Sequence, residues 1–247
     1  PKIMSDKIFP TILVGALGFF LMLSFSLRPV EEGGRVTAAL RAKELTPFPE
    51  VILLAKSAYV YDLRTEQELF HKDADRRLPL ASLTKLMSAL VASGLSPGYG
   101  TVKVTSAALE NYGDSGLSDG EKWSLNEILD YSLLTSSNDG IRAVALSLAA
   151  IDKVGSDKEI IQSFVTAMNR KASELKLKNT YFWNETGLDE SNIKGGAYGS
   201  ARDISMLLAT ILSEHPGLLE ATREPAAIFH SLNSKSHVGR NTNALVS

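Results

Sequence analysis

A chain of 247 residues, 44% hydrophobic and 22% charged, holds enough apolar material for a real core. A formal net charge of −2, with no basic stripe interleaved with aromatics, argues against nucleic acid as a partner. The absence of cysteine excludes disulfides, thiolate catalysis and cysteine-based zinc sites together. The four histidines, His71, His215, His230 and His237, are scattered without His-x-x-x-His spacing. No metal or other cofactor is therefore expected, and each histidine reads as a surface or loop residue.

The first element in chain order is apolar. Residues 8–27, IFPTILVGALGFFLMLSFSL, run for 20 residues without a charge, long enough as a helix to cross a bilayer core of roughly 30 Å. A removed signal peptide usually has a shorter apolar region and a small-residue exit, whereas this one ends in SFSLRPV. A buried core helix would show a polar face, which is missing here. The segment reads as an uncleaved signal anchor, spanning 1–28 with its flanks. Lys2 and Lys7 before it, against Glu31 and Glu32 after it, place the remainder of the chain outside. Residues 29–50 mix charge, Gly-Gly and proline and read as a juxtamembrane linker. Residues 51–247 form the remaining domain.

Within that domain KSAYVYDLRTEQELFH reads as a hairpin turning at Thr65 and Glu66. Leu83, Leu86, Met87, Leu90 and Val91 follow helical spacing, with Gly94 as a stop. Ser124 with Glu127, and Ser156 with Glu159, have capping-box spacing ahead of apolar helices. A further helix starts near Ser200, with Ile204, Leu207, Leu208 and Ile211 on one side. Residues 94–123 and 179–199 read as loops, and only two strands are clear before residue 225. The expected class is α+β, with helices packed on one antiparallel sheet.

Ser-x-x-Lys occurs three times, at Ser82/Lys85, Ser173/Lys176 and Ser191/Lys194. A serine hydroxyl becomes a strong nucleophile when a base takes its proton, and lysine is such a base when desolvation lowers its pKa. Ser82 and Lys85 share a helix face near a helix N-terminus, among Leu78, Leu80, Leu83, Leu86 and Met87. Ser173 lies on a charged, solvated face and Ser191 in a glycine-rich loop. Only the first pair has the surroundings that the chemistry requires. The bland alternative is a helix start with Ser82 as N-cap. Proton relay and substrate orientation call for a second hydroxyl and an amide, and Ser136, Ser137 and Asn138 interrupt two apolar helical stretches 54 residues on. An interhelical turn capped by Asn138 or Asp139 is the plain reading of that triplet.

In order along the chain, LPLASLTKLMSAL, LLTSSNDGIRAVALSLA, FVTAMNRKASELKLKNTYFWNETGLDE, GSARDISMLLATIL and NTNALV resemble the penicillin-binding, active-site-serine proteins. More narrowly, they resemble the serine-type D-alanyl-D-alanine carboxypeptidases of peptidase family S11. The resemblance implies a β-lactamase/transpeptidase-like domain. It implies Ser82 as the acylated nucleophile, Lys85 as general base, Ser136 as proton relay and Asn138 as a substrate-binding amide. It implies a peptidoglycan stem peptide ending in D-Ala-D-Ala as substrate, β-lactams as covalent inhibitors, and a bacterial membrane location with the catalytic domain on the extracytoplasmic side.

One departure stands out. The family's Lys-Thr-Gly motif is missing; NSKSHVG at 233–239 has a lysine but no Thr-Gly. In the family the motif follows NTNALV, so the chain reads as a domain truncated before that strand, with its own activity in doubt. The alternatives are a class A-like β-lactamase, with Glu185 as the weak candidate for activating water, a D,D-endopeptidase, and an inactive, membrane-tethered binding protein.

Overall fold

The computed structural model describes residues 52–96, 100–110, 116–151 and 154–246. The expected anchor at 8–27 and linker at 29–50 lie outside these residues. Among the described residues no helix is long and apolar enough to cross a membrane. The fold described here belongs to the compact unit Ala55–Ser247.

The chain opens with the expected hairpin, β1 (Ala58–Asp62) against β2 (Gln67–Lys72), with a bulge between Val60 and Tyr61. Asp62 builds the turn: its carboxylate accepts from the Arg64 N–H at 2.9 Å and the Thr65 hydroxyl at 2.8 Å. Arg202 ties the hairpin to the later helix by pairing with Glu68 and Asp75 and lying over the Tyr59 ring.

Among the described residues five α-helices follow: α1 (Thr84–Leu95), α2 (Leu125–Thr135), α3 (Asn138–Ala149), α4 (Asp157–Glu174) and α5 (Ala201–Glu214). On α1, Met87, Leu90 and Val91 are buried as their spacing predicts, whereas Leu83 is half exposed in the short 3-10 turn before the helix. Gly94 does not stop α1; the helix ends one residue later, because a glycine in the last turn costs about 1 kcal/mol at most and packing overrides it. Glu159 completes its capping box by accepting from the Ser156 N–H and hydroxyl. The other box is half formed. Ser124 accepts from the Glu127 N–H, but the Glu127 carboxylate turns to the His230 N–H. The core runs between α1, α2, α3 and α4, through Met87, Leu90, Ile128, Leu134, Ile141, Phe164 and Met168.

The class is α+β, as expected, but the described strands form four small antiparallel sheets in place of one. β4 (Thr101–Lys103) pairs with β5 (Lys122–Ser124), and β8 (Ala226–His230) with β9 (Ser236–Arg240). The third pairing matters most for the site. β7 (Ala197–Gly199) lies between β3 (Leu78–Pro79) and β6 (Tyr181–Phe182), so segments nearly 120 residues apart are stitched together just before Ser82. β4 to β7 occupy the two stretches read as loops. Their runs of two or three residues are too short to show alternation.

Candidate active site

Ser82 lies in the 3-10 turn Ala81–Leu83 that leads into α1. The preceding Ala81 has φ +46°, a left-handed conformation that a Cβ-bearing residue adopts at a cost. Packing enforces it: the Leu80 N–H bonds to Ala197 O on β7, and Gly187 presses against the Ala81 carbonyl. Gly187 is itself at φ +84°, and a Cβ there would lie 2.0 Å from Ala81 O. Only glycine fits this approach. Ser82 is thus not a helix N-cap. It is an exposed residue that follows the strained Ala81 at the lip of a buried helix.

Lys85 is buried, 2% exposed. Its ammonium donates to Ser82 Oγ at 2.9 Å and to the Thr186 carbonyl at 3.2 Å. Burial lowers its pKa from 10.5 to about 8, against an opposing pull from Glu185. At pH 7 roughly a tenth of the molecules then carry the neutral amine, against fewer than one in a thousand for a free lysine. The lysine has the character of a base, and the hydroxyl beside it faces solvent.

Ser136 closes the group. It is the C-cap of α2, at φ 59° and ψ 35°, and its hydroxyl donates to Ser82 Oγ at 2.9 Å. Ser82 Oγ therefore stands at hydrogen-bond distance from both a lysine and a second hydroxyl. Asn138 is the first residue of α3 and half-buried. Neither Asn138 nor Asp139 caps that helix; Ser137 does, accepting from the Gly140 N–H at 3.0 Å. The other Ser-Lys pairs stay apart from this chemistry. Ser173 and Lys176 are exposed, and Lys194 sits 3.8 Å above the Trp183 ring.

Residues that the spacing of motifs did not single out complete the surroundings. Ser88, one turn after Lys85, donates to the Glu185 carbonyl at 2.6 Å. Asn184 holds the turn by accepting from the Gly187 N–H at 2.8 Å. Glu185 is wholly buried, with Oε1 paired to Arg142 of α3 at 3.0 Å. A carboxylate that activates water must meet water. This one is sealed against a guanidinium, which removes the support for a β-lactamase role. Asn-x-x-Gly in NETG is the one sequence signal of this turn.

One expectation elsewhere needs correction. His237 is not a loose surface histidine: it packs between Trp123 and Tyr131, 3.0 Å from Glu121. Lys235 of NSKSHVG pairs with the same buried Glu121 at 3.3 Å.

Fold and site together define a serine-hydrolase arrangement, in which one serine hydroxyl stands beside a buried lysine and a second serine. A family model described as D-alanyl-D-alanine carboxypeptidase, Peptidase S11, matches residues 45–247. The chain belongs to this family. It is 34% identical over 164 residues to the D-alanyl-D-alanine carboxypeptidase DacF of Bacillus subtilis, covering 64% of this chain but only 39% of DacF. It is 32% identical over 242 residues to a D-alanyl-D-alanine endopeptidase of Escherichia coli, covering 96% of this chain and 71% of that one. Among solved structures, a D-alanyl-D-alanine carboxypeptidase of Mycobacterium tuberculosis superposes with a TM-score of 0.68 at 27% identity, covering 82% and 72% of the two chains. A variant of the Streptomyces K15 DD-transpeptidase superposes with a TM-score of 0.70 at 22% identity, covering 80% and 78%, which speaks for the fold.

Proposed function

We propose that the chain carries the nucleophile end of a serine-type D-Ala-D-Ala carboxypeptidase that trims peptidoglycan stem peptides. The observation that carries this reading is Ser82 Oγ at 2.9 Å from both Lys85 Nζ and Ser136 Oγ. In the neutral form Lys85 takes the Ser82 proton as Oγ attacks the carbonyl carbon of the penultimate D-alanine. The Ser82 N–H contributes to the oxyanion hole. Lys85 returns the proton through Ser136 to the amine of the terminal D-alanine, which leaves as the C–N bond breaks. An ester on Ser82 remains, and water hydrolyses it. Asn138 orients the peptide amide. β-Lactams stop at the corresponding ester.

The anchor at 8–27 and an extracytoplasmic site belong to the same proposal, since cross-linked wall lies outside the membrane. A D,D-endopeptidase is the second reading, favoured by the Escherichia coli relative that aligns along 96% of this chain and is named as one. Fluorescent penicillin labelling of the full-length protein tests the nucleophile, with covalent label expected in the wild type and none in Ser82→Ala. Label that persists in Ser82→Ala refutes the assignment. Free D-alanine released from a D-Ala-D-Ala pentapeptide, in preference to cleavage of cross-linked dimers, separates carboxypeptidase from endopeptidase.

A further inference from the structure

Lys85 needs a proton affinity low enough to free the amine and high enough to hold a proton in transit. Desolvation alone only lowers it. The structure contains a second influence that no motif announces. The turn carrying Glu185 and Thr186 is fastened to α1 at two points one helical turn apart, Lys85 to the Thr186 carbonyl and Ser88 to the Glu185 carbonyl. This fastening leaves the Glu185 side chain wholly buried. Its Oε1 meets Arg142, while Oε2 is buried without a hydrogen-bond partner. Arg142 is three-quarters buried, and it also donates to the Ala107 carbonyl at 3.3 Å.

We propose that Arg142 and Glu185 form a charge couple that positions and tunes Lys85 without touching substrate: the Glu185 carboxylate favours the ammonium, and Arg142 offsets that carboxylate. The proposal rests on the reading of Lys85 as the base. The helices packed against α1 carry Glu127 and Asp130 on α2, Asp139 and Arg142 on α3, Asp157, Lys158, Glu159, Arg170, Lys171 and Glu174 on α4, and Arg202, Asp203 and Glu214 on α5, with Glu185 on the β6–β7 loop. The Asp203 carboxylate is taken up by the Asn179 N–H and the Thr180 hydroxyl. Of these groups Glu185 is the one whose turn is hydrogen-bonded to α1 at Lys85 and Ser88, and its charge opposes the effect of burial on Lys85. A bare carboxylate oxygen in a buried site is costly, and a couple kept only half satisfied beside the reactive amine is what a tuning role requires.

The two members must then act in opposite directions. The test is the titration of Lys85 Nζ followed by NMR in the full-length protein, its signal assigned by loss in Lys85→Gln, alongside the pH profile of penicillin acylation. Glu185→Gln keeps shape and removes charge, so the midpoint falls by about 1 pH unit. Arg142→Gln leaves the carboxylate uncompensated, and the midpoint rises by about 1 pH unit. Arg142→Lys restores a value near the wild type. A midpoint that stays put in Glu185→Gln, or moves the same way in both Gln variants, overturns the proposal. Glu185→Gln is isosteric, so that arm stands even if Arg142→Gln fails to fold. Failure of the base reading looks different: Lys85→Ala would then still acylate, whatever the titrations show.

Discussion

Two buried glutamates in this molecule are treated in opposite ways. Glu121 is fully buried and surrounded by donors: the Ser118 N–H at 3.0 Å, the Trp123 indole at 3.0 Å and Lys235 at 3.3 Å, with the His237 ring at 3.0 Å. Glu185 is equally buried but has one cation and one bare oxygen. Burying a charge is tolerated when its lone pairs are met, and then it serves the structure. Glu121 joins the β8–β9 hairpin to the start of α2, far along the chain. A charge left partly unmet beside a reactive group marks a site where stability has been traded for chemistry. The Ser82 end also holds Ala81 and Ser136 at positive φ, neither of them glycine.

The sharpest way to break this contrast is at Lys85. In Lys85→Met, penicillin acylation should fall by ~10²–10⁴-fold. Stability at pH 7 should hold or rise, because the folded pKa of about 8 lies below the unfolded 10.5. For a lysine with a lowered pKa the cost of folding is full below about pH 8 and fades as pH climbs to the unfolded value. Chemical denaturation of Lys85→Met should therefore show a gain that shrinks above pH 8. A large loss of stability at pH 7 would show that Lys85 is structural. Glu121→Ala should do the reverse, losing about 3–5 kcal/mol of stability by leaving the buried Trp123 indole N–H without its acceptor and His237 without its carboxylate. The pH profile of the folded remainder should not move.

A smaller effect probes the joint between the Glu185 turn and the nucleophile. Gly187→Ala should cost about 2–3 kcal/mol through its left-handed backbone and the clash with Ala81 O. It should also slow acylation, because Ala81 must move and Ser82 with it. Unchanged acylation at a lowered melting temperature would mean that the joint supports the fold alone.

How much of this was legible beforehand follows from the range of each interaction. Ser82 with Lys85 is an i, i+3 pair, so spacing and apolar neighbours were enough to choose it from three candidates. Ser136 and Asn138 stood out because polar residues interrupted two apolar helices. The hairpin β1–β2 and the helices were visible in periodicity. The partners of Lys85 and Glu121 were not, since Thr186 lies 101 residues from Lys85 and Lys235 lies 114 from Glu121. His237 looked like a loop residue because its strand is exposed at Val238 and Ser236 on either side. The left-handed Ala81 left no trace either, as nothing in LPLAS marks it; Gly187 pressing from another segment imposes it.

The smallest effect lies at Asp130, on α2, which belongs to neither glutamate cluster. It lines a cavity of about 490 Å³ with Asn126, His215 and Glu220. Burial, and then the nearby Glu127 and Glu220, raise its carboxyl pKa from 3.8 to about 6. A carboxylate whose folded pKa is raised costs stability, fully above about pH 6 and not at all below the unfolded value. Asp130→Asn should therefore raise the melting temperature at pH 7, by roughly 2–4 °C once solvent screening trims the charge effect. The gain should vanish as pH falls from 6 to 4, while penicillin acylation stays unaltered. Calorimetry at pH 7 and pH 4 checks both limbs. A gain that persists at pH 4 would mean that the asparagine acts by packing, and a change in acylation would tie this cavity to the Ser82 site after all.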